Sequence, residues 1–181
     1  MKKTIATLSL TAVLAMTLAG CTFELRDPVA IDDSKNPTDP TIEVEAPGGS
    51  NSSNFGSGAC DDRDLVIDEE GSQLVLTGDC GSVTITADDV SVNLEHAETV
   101  TISGDYVTVL ATTIDAAEIT GSNVTLNPDD IGSVSIGGDY ITFTSNGAEK
   151  ITISCNYNVA NWSTGAASAT DTGTGNTVVA P

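Results

Sequence analysis

The sequence predicts an all-β fold: a single-stranded parallel β-helix, or β-solenoid, of five to six coils. Three observations predict it. The middle of the chain repeats every seventeen residues without a gap, with new lines at Val83, Val100, Ala117, Val134 and Ile151. Within each line the apolar residues come in pairs two apart, and such pairs share one face of a short strand. Val, Ile and Thr dominate and strong helix formers are sparse, which suits strands. A fixed short period is the signature of a solenoid, and a helix cannot account for alternation at period two.

Taken in order, the chain opens on a leader. Lys2 and Lys3 precede an apolar run from Ile5 to Ala19, a secretory pattern too short for a spanning helix. The run ends in Leu18-Ala19-Gly20-Cys21. This resembles a bacterial lipobox, which implies lipid transfer to the Cys21 thiol and cleavage before Cys21. Residues 1–20 are then a lipoprotein signal peptide, and Cys21 is the lipidation site. The expected location is outside the cytoplasm, anchored by lipid to the cell membrane or envelope. Residues 21–59 follow as an acidic tether. Pro28, Pro37, Pro40 and Pro47 interrupt it, and Gly48-Gly49-Ser50-Asn51-Ser52-Ser53 closes it. Such composition predicts a self-repelling, disordered stalk with a reach of roughly 35 Å.

The solenoid is expected over residues 60–162. Its third column is Ile85, Ile102, Ile119, Ile136 and Ile153, and its first is Val83, Val100, Ala117, Val134 and Ile151. The eighth column is Val90, Val107, Val124 and Ile141, then Asn158. The tenth is Val92, Val109, Leu126 and Phe143, then Ala160, and Ala97, Ile114, Ile131 and Ala148 form a fifteenth. A degenerate line begins near Leu65-Val66-Ile67. Tight-turn residues such as Gly104-Asp105-Tyr106 and Gly121-Ser122-Asn123 stand between the strands. Coils stacked about 4.8 Å apart make a rod roughly 25–30 Å long. The period does not fix the hand of the coil, and the general crossover preference favours right-handed. Residues 163–181, rich in Ser, Thr, Gly and Ala, are expected to be a flexible tail.

The stacked V-T-I-x-G-x-x-V-x-V lines, the flanking Cys60 and Cys80, the closing Asn156-Tyr157-Asn158-Val159-Ala160-Asn161-Trp162 and the lipoprotein leader together resemble the domain-of-unknown-function 3060 family. The resemblance spans roughly residues 60–162. It implies an exported actinobacterial envelope protein with this fold. Its motifs are fold motifs, so it carries over no catalytic or binding residues.

The outward residues hold the candidate sites. Turn position six carries Asp88, Asp105, Ser122, Asp139 and Asn156. Stacked carboxylates repel unless bridged, so Asp88, Asp105 and Asp139 are a possible Ca²⁺ row; the competing reading is a solvated acidic turn row, and no calcium-loop spacing is present. Position seven carries Tyr106, Asn123, Tyr140 and Tyr157. These tyrosines are either a strip that stacks on sugar rings or a ladder that shields backbone. Rows of Thr-x-Thr resemble ice-binding arrays, but Glu118 and Gly137 break them. His96 stands beside Glu95 and Glu98 with no second imidazole. No nucleophile motif occurs, and no metal or other cofactor is expected apart from the Ca²⁺ option.

The four cysteines split by place. Cys60 and Cys80 lie about one coil apart and are expected to form a disulfide in an oxidising compartment. Cys155 lies about five coil steps, roughly 24 Å, from Cys80, beyond the roughly 7 Å that a disulfide allows between Cα atoms. It is expected to be a free thiol or an intermolecular link. The chain holds 26 acids and 6 bases, and two of those bases are in the leader. Charge therefore excludes a nucleic-acid partner. The expected role is structural or interaction work by a monomer at the cell envelope, with an envelope protein or a glycan as partner. The coils carry no inserted loops to build a cleft, so no enzyme is expected.

Overall fold

The computed structural model describes residues 55–165 and 168–181. The leader, Cys21 and nearly all of the tether lie outside them. The described chain is all-β, with parallel strands stacked as a solenoid of about seven turns at seventeen-residue spacing. Ten strands form one sheet: β1 (Phe55–Ala59), β2 (Leu65–Ile67), β3 (Gln73–Ile85), β4 (Ser91–Ile102), β5 (Thr108–Ile119), β6 (Thr125–Ile136), β7 (Thr142–Ile153), β8 (Val159–Thr164), β9 (Ser168–Asp171) and β10 (Thr177–Val179). Neighbours run β1-β3-β4-β5-β6-β7-β8-β10, with β2 against β3 and β9 against β7.

Each long strand wraps a corner. In β4 and β5 the paired segments are Ser91–Leu94 on Thr108–Ala111, His96–Ala97 on Thr113–Ile114, and Thr99–Ile102 on Ala116–Ile119. Residues 95 and 98 drop out of the ladder at the bends. The periodic Ile and Val columns all point inward: Ile85, Ile102, Ile119, Ile136, Ile153, Val107, Val124 and Ile141 are completely buried. Burying one such side chain contributes roughly 1.5–3 kcal/mol. A sixth inward column at position twelve was not apparent from the repeat. It holds Leu94, Ala111, Pro128, Ser145 and Trp162, too mixed in chemistry to read as apolar. Ser145 belongs there because its hydroxyl donates to the Asp129 and Gly147 carbonyls, at 3.0 and 2.7 Å.

The rod is longer than the expected five to six coils at both ends. β1 lies in the stretch assigned to the tether, and the expected flexible tail instead supplies the end of β8 together with β9 and β10. Two effects hid these coils. The repeat slips by one residue: Leu65 pairs with Val83 and Ile151 with Ala169, eighteen apart. In the front coil the extra residue is taken up by a bulge between Leu76 and Asp79, where Gly78 has φ 76°. In the last coil two of the inward columns turn polar, with Asp171 opposite Ile153 and Asn176 opposite Asn158. Asp171 stands where Ile is expected, and it accepts hydrogen bonds from the Gly173 N–H and the Asn176 amide, at 2.9 and 2.7 Å. Trp162, the last residue of the expected solenoid, accordingly does not end the rod. It is buried beside Ser145, its register partner in β7, and a further coil follows it.

Candidate functional site

The turn between position three of one strand and position nine of the next stacks as two outward columns. At position six the carboxylates work along the rod. Asp88 Oδ1 accepts the Asp105 N–H at 2.7 Å, Asp105 Oδ1 the Ser122 N–H at 2.6 Å, and Asp139 Oδ1 the Asn156 N–H at 2.7 Å. Asn156 Oδ1 continues the ladder to the Thr174 N–H at 2.9 Å. The Asp88, Asp105 and Asp139 row is thus a hydrogen-bond ladder in which each carboxylate caps the turn above it. Among the described residues no three His, Cys, Asp or Glu side chains come together to hold a metal ion, so the Ca²⁺ reading gains no donor set.

Position seven is the left-handed residue of every turn. Asp89, Tyr106, Asn123, Tyr140 and Tyr157 all have φ between 56° and 58°, and Gly175 has φ 73°. Their N–H groups donate to the position-six carbonyl of the next coil, as Tyr106 does to Ser122 and Asn123 to Asp139, both at 3.1 Å. Tyr106, Tyr140 and Tyr157 are 62%, 58% and 59% exposed. Tyr140 and Tyr157 stack with centroids 5.5 Å apart and planes 10° from parallel. The far face of Tyr157 lies on Gly175, where an added Cβ would come within 2.9 Å of the ring. Tyr106 is separated from Tyr140 by the coil that carries Asn123. The structure therefore brings together two of the three predicted tyrosines and leaves the third one coil away.

Cys60 and Cys80 are bridged, with Cα atoms 4.8 Å apart, one coil step as expected. Cys155 departs from expectation. It is disulfide-bonded, and none of the described cysteines is free. The distance argument correctly excluded Cys80, which is bonded to Cys60. Cys155 itself is buried in the small-residue column of Gly104, Gly121 and Gly138, with Sγ 2.8 Å from the Gly137 oxygen.

His96 lies between two carboxylates that its sequence neighbours do not supply. Its Nδ1 is 3.1 Å from Asp79 Oδ1 and its Nε2 3.6 Å from Asp115 Oδ1. The first contact is at ion-pair distance, yet Nδ1 has no hydrogen-bond partner among the described residues. Glu95 instead accepts the Gly78 N–H at 2.6 Å and braces the bulge. On the Thr-x-Thr face the position-four hydroxyls turn inward: Thr120 and Ser154 donate to the Ile102 and Ile136 carbonyls at 3.4 and 3.2 Å. A cavity of about 170 Å³ at the front, lined by Gly56, Leu65, Leu74 and Leu76 among others, holds none of the candidate residues.

No protein family, curated protein or solved structure matches the chain.

Proposed function

We propose that the protein is a lipid-anchored, extracytoplasmic display rod: a stiff acidic solenoid held off a membrane by a tether, working through interaction rather than catalysis. The observation that carries this reading is Leu18-Ala19-Gly20-Cys21 directly after a basic and apolar leader. Two features of the described chain support it. The Cys60–Cys80 bridge suits an oxidising compartment. The coils follow one another with only short turns, and a surface of this kind is better suited to contact than to enclosing a substrate.

The anchor is tested by metabolic labelling with an alkyne fatty acid and by detergent phase partition. The parent chain is expected to label and to enter the detergent phase, and Cys21→Ser to lose both properties. Equal partition of the two proteins would sink the reading. A second route is intact mass under non-reducing conditions. A thioether at Cys21 and a disulfide at Cys21 exclude each other, so a mature chain carrying diacylglycerol on that sulfur supports the anchor and one carrying a Cys21 disulfide opposes it.

A further inference from the structure

The position-seven turn residue needs only to tolerate a left-handed backbone. Gly does so without strain and Asn and Asp tolerate it, whereas a bulky aromatic residue there is an outlier. Asp89 and Asn123 make the same turn with the same φ as Tyr106 and Tyr140. The fold therefore does not require tyrosine, and rings this exposed repay little by packing. Backbone strain held at an exposed position points to a use other than folding.

The coil between Tyr106 and Tyr140 differs from its neighbours at two adjacent columns at once. Gly104-Asp105-Tyr106 and Gly138-Asp139-Tyr140 flank Gly121-Ser122-Asn123, in strict register through the Tyr106-to-Ser122 and Asn123-to-Asp139 backbone bonds. In the same coil tyrosine gives way to the much shorter asparagine and aspartate to the smaller serine, which leaves a notch with a tyrosine on each side. Two coil steps of about 4.8 Å set its walls about 9–10 Å apart. The floor is polar. Ser122 has no carboxylate to accept the Asp139 N–H, and among the described residues that N–H has no other acceptor. Asp105 spends one carboxylate oxygen on the Ser122 N–H and keeps the other. The Asn123 amide both donates and accepts.

We propose that this notch is a binding site for one pyranose ring of a neutral glycan. A sugar chair has two apolar C–H faces and a rim of hydroxyls. Two stacking distances of about 4.5 Å, the short end of the range for ring contacts, fill the space between the Tyr106 and Tyr140 rings. The hydroxyl rim then meets the Asp139 N–H, the Ser122 hydroxyl, the Asn123 amide and the Asp105 carboxylate. A flat aromatic ring is thinner and leaves slack. The 26 acids against 6 bases of the chain repel uronic-acid polymers, phosphorylated glycans and nucleic acids. Tyr157, closed between Tyr140 and Gly175, is a buttress for the Tyr140 wall.

The test uses the full chain in a zwitterionic detergent, so that no sugar headgroup competes. It is titrated by calorimetry with short neutral oligosaccharides (β-linked glucose, α-linked glucose, α-linked mannose) and with an oligogalacturonate. Saturable binding of at least one neutral probe and none of the uronate is expected. Tyr106→Ala and Tyr140→Ala should each weaken it at least tenfold, and Tyr157→Ala less than threefold. The double variant Ser122→Asp, Asn123→Tyr makes the odd coil like its neighbours. The strain of a left-handed tyrosine is offset by the carboxylate restored to the Asp139 N–H, so the thermal midpoint should change little while binding is abolished, which a purely structural tyrosine ladder would not do. Failure of every neutral probe, equal binding of the uronate, or unchanged binding by the double variant overturns the site. A loss with Tyr157→Ala as large as with Tyr106→Ala also overturns it, by placing the sugar on the outer strip.

Discussion

A Cβ added at Gly121 would sit 2.0 Å from the Gly104 carbonyl oxygen, and one at Gly138 would sit 1.9 Å from that of Gly121. The obstruction is backbone, which cannot turn aside as a side chain can. Gly121→Ala should therefore destabilise the rod by about 3 kcal/mol, the upper end for overpacking, read as a fall in the urea midpoint. Gly58→Ala, where an added Cβ meets nothing within 4 Å, should change it little. Asp64 acts through charge instead of space. The backbone N–H and hydroxyl of Ser82 both donate to its Oδ1, at 2.7 and 2.8 Å, and hold its carboxyl below the ordinary 3.8. A carboxylate depressed in the folded state contributes stability above its unfolded value, and that contribution is lost as pH falls through the folded one. Asp64→Asn should therefore flatten the stability profile below about pH 4 and leave its shape above pH 5 unchanged. A parent and variant with parallel acid profiles would remove Asp64 from the account.

At the scale of the strand and its turn, the apolar column at position eight gives way to asparagine. Asn158 is completely buried. Its Oδ1 accepts the Ile141 N–H at 2.7 Å and its Nδ2 donates to the Gly138 oxygen at 3.0 Å. Asn176 repeats the motif one coil on, accepting the Asn158 N–H at 2.7 Å and donating to the Cys155 oxygen at 2.8 Å. The isosteric Asn158→Asp keeps the acceptor but turns a carboxylate oxygen on the Gly138 carbonyl. An unmatched buried charge should cost at least about 2–3 kcal/mol at neutral pH. Burial raises the pKa of such a group, so the cost should shrink as the pH is lowered towards 4, where a protonated carboxyl can donate. Urea midpoints at pH 4 and 7 check both parts. This ladder also marks where the sequence stops being legible. The Ile and Val columns disclose the coils from Val83 to Ile153, because only burial demands an apolar residue every seventeen positions. The last coil is held by polar contacts, Asn176 bonding the coil before and Asp171 accepting from Gly173 and Asn176 within its own coil, and no hydropathy period records such matching. The turn columns were visible as composition, and their exposure followed from the repeat. That each carboxylate caps the next turn, and that Ser122 and Asn123 open a gap, emerges only when the coils are laid in register.

For the whole molecule, each coil meets only the coil before and the coil after, so stability is a sum of local and nearest-neighbour contributions. The two ends differ in what closes them. The last strands, β9 and β10, are exposed along their whole lengths and carry two exposed valines, Val178 and Val179. The front carries a covalent staple, Cys60 to Cys80, at a sequence separation of 20. A loop of that size is worth on the order of 3 kcal/mol of chain entropy. In a domain that unfolds as one unit, removing the staple would lower protection from hydrogen exchange everywhere by the same amount. In a one-dimensional array the loss stays near the cut. Cys60→Ala with Cys80→Ala should therefore speed amide exchange in β1 and β2 by about a hundredfold or more, at roughly 1.4 kcal/mol for each factor of ten. β5 and β6, two and three strands removed from the staple in the stack, should hardly change. In the parent, protection should peak in β4 to β7 and be lowest in β9 and β10. Exchange measured strand by strand on both proteins decides between the two pictures. A uniform loss reaching β6 would mean that the rod melts as a single cooperative body, and that the Cys60–Cys80 bridge stabilises the whole of it and not its front coil alone.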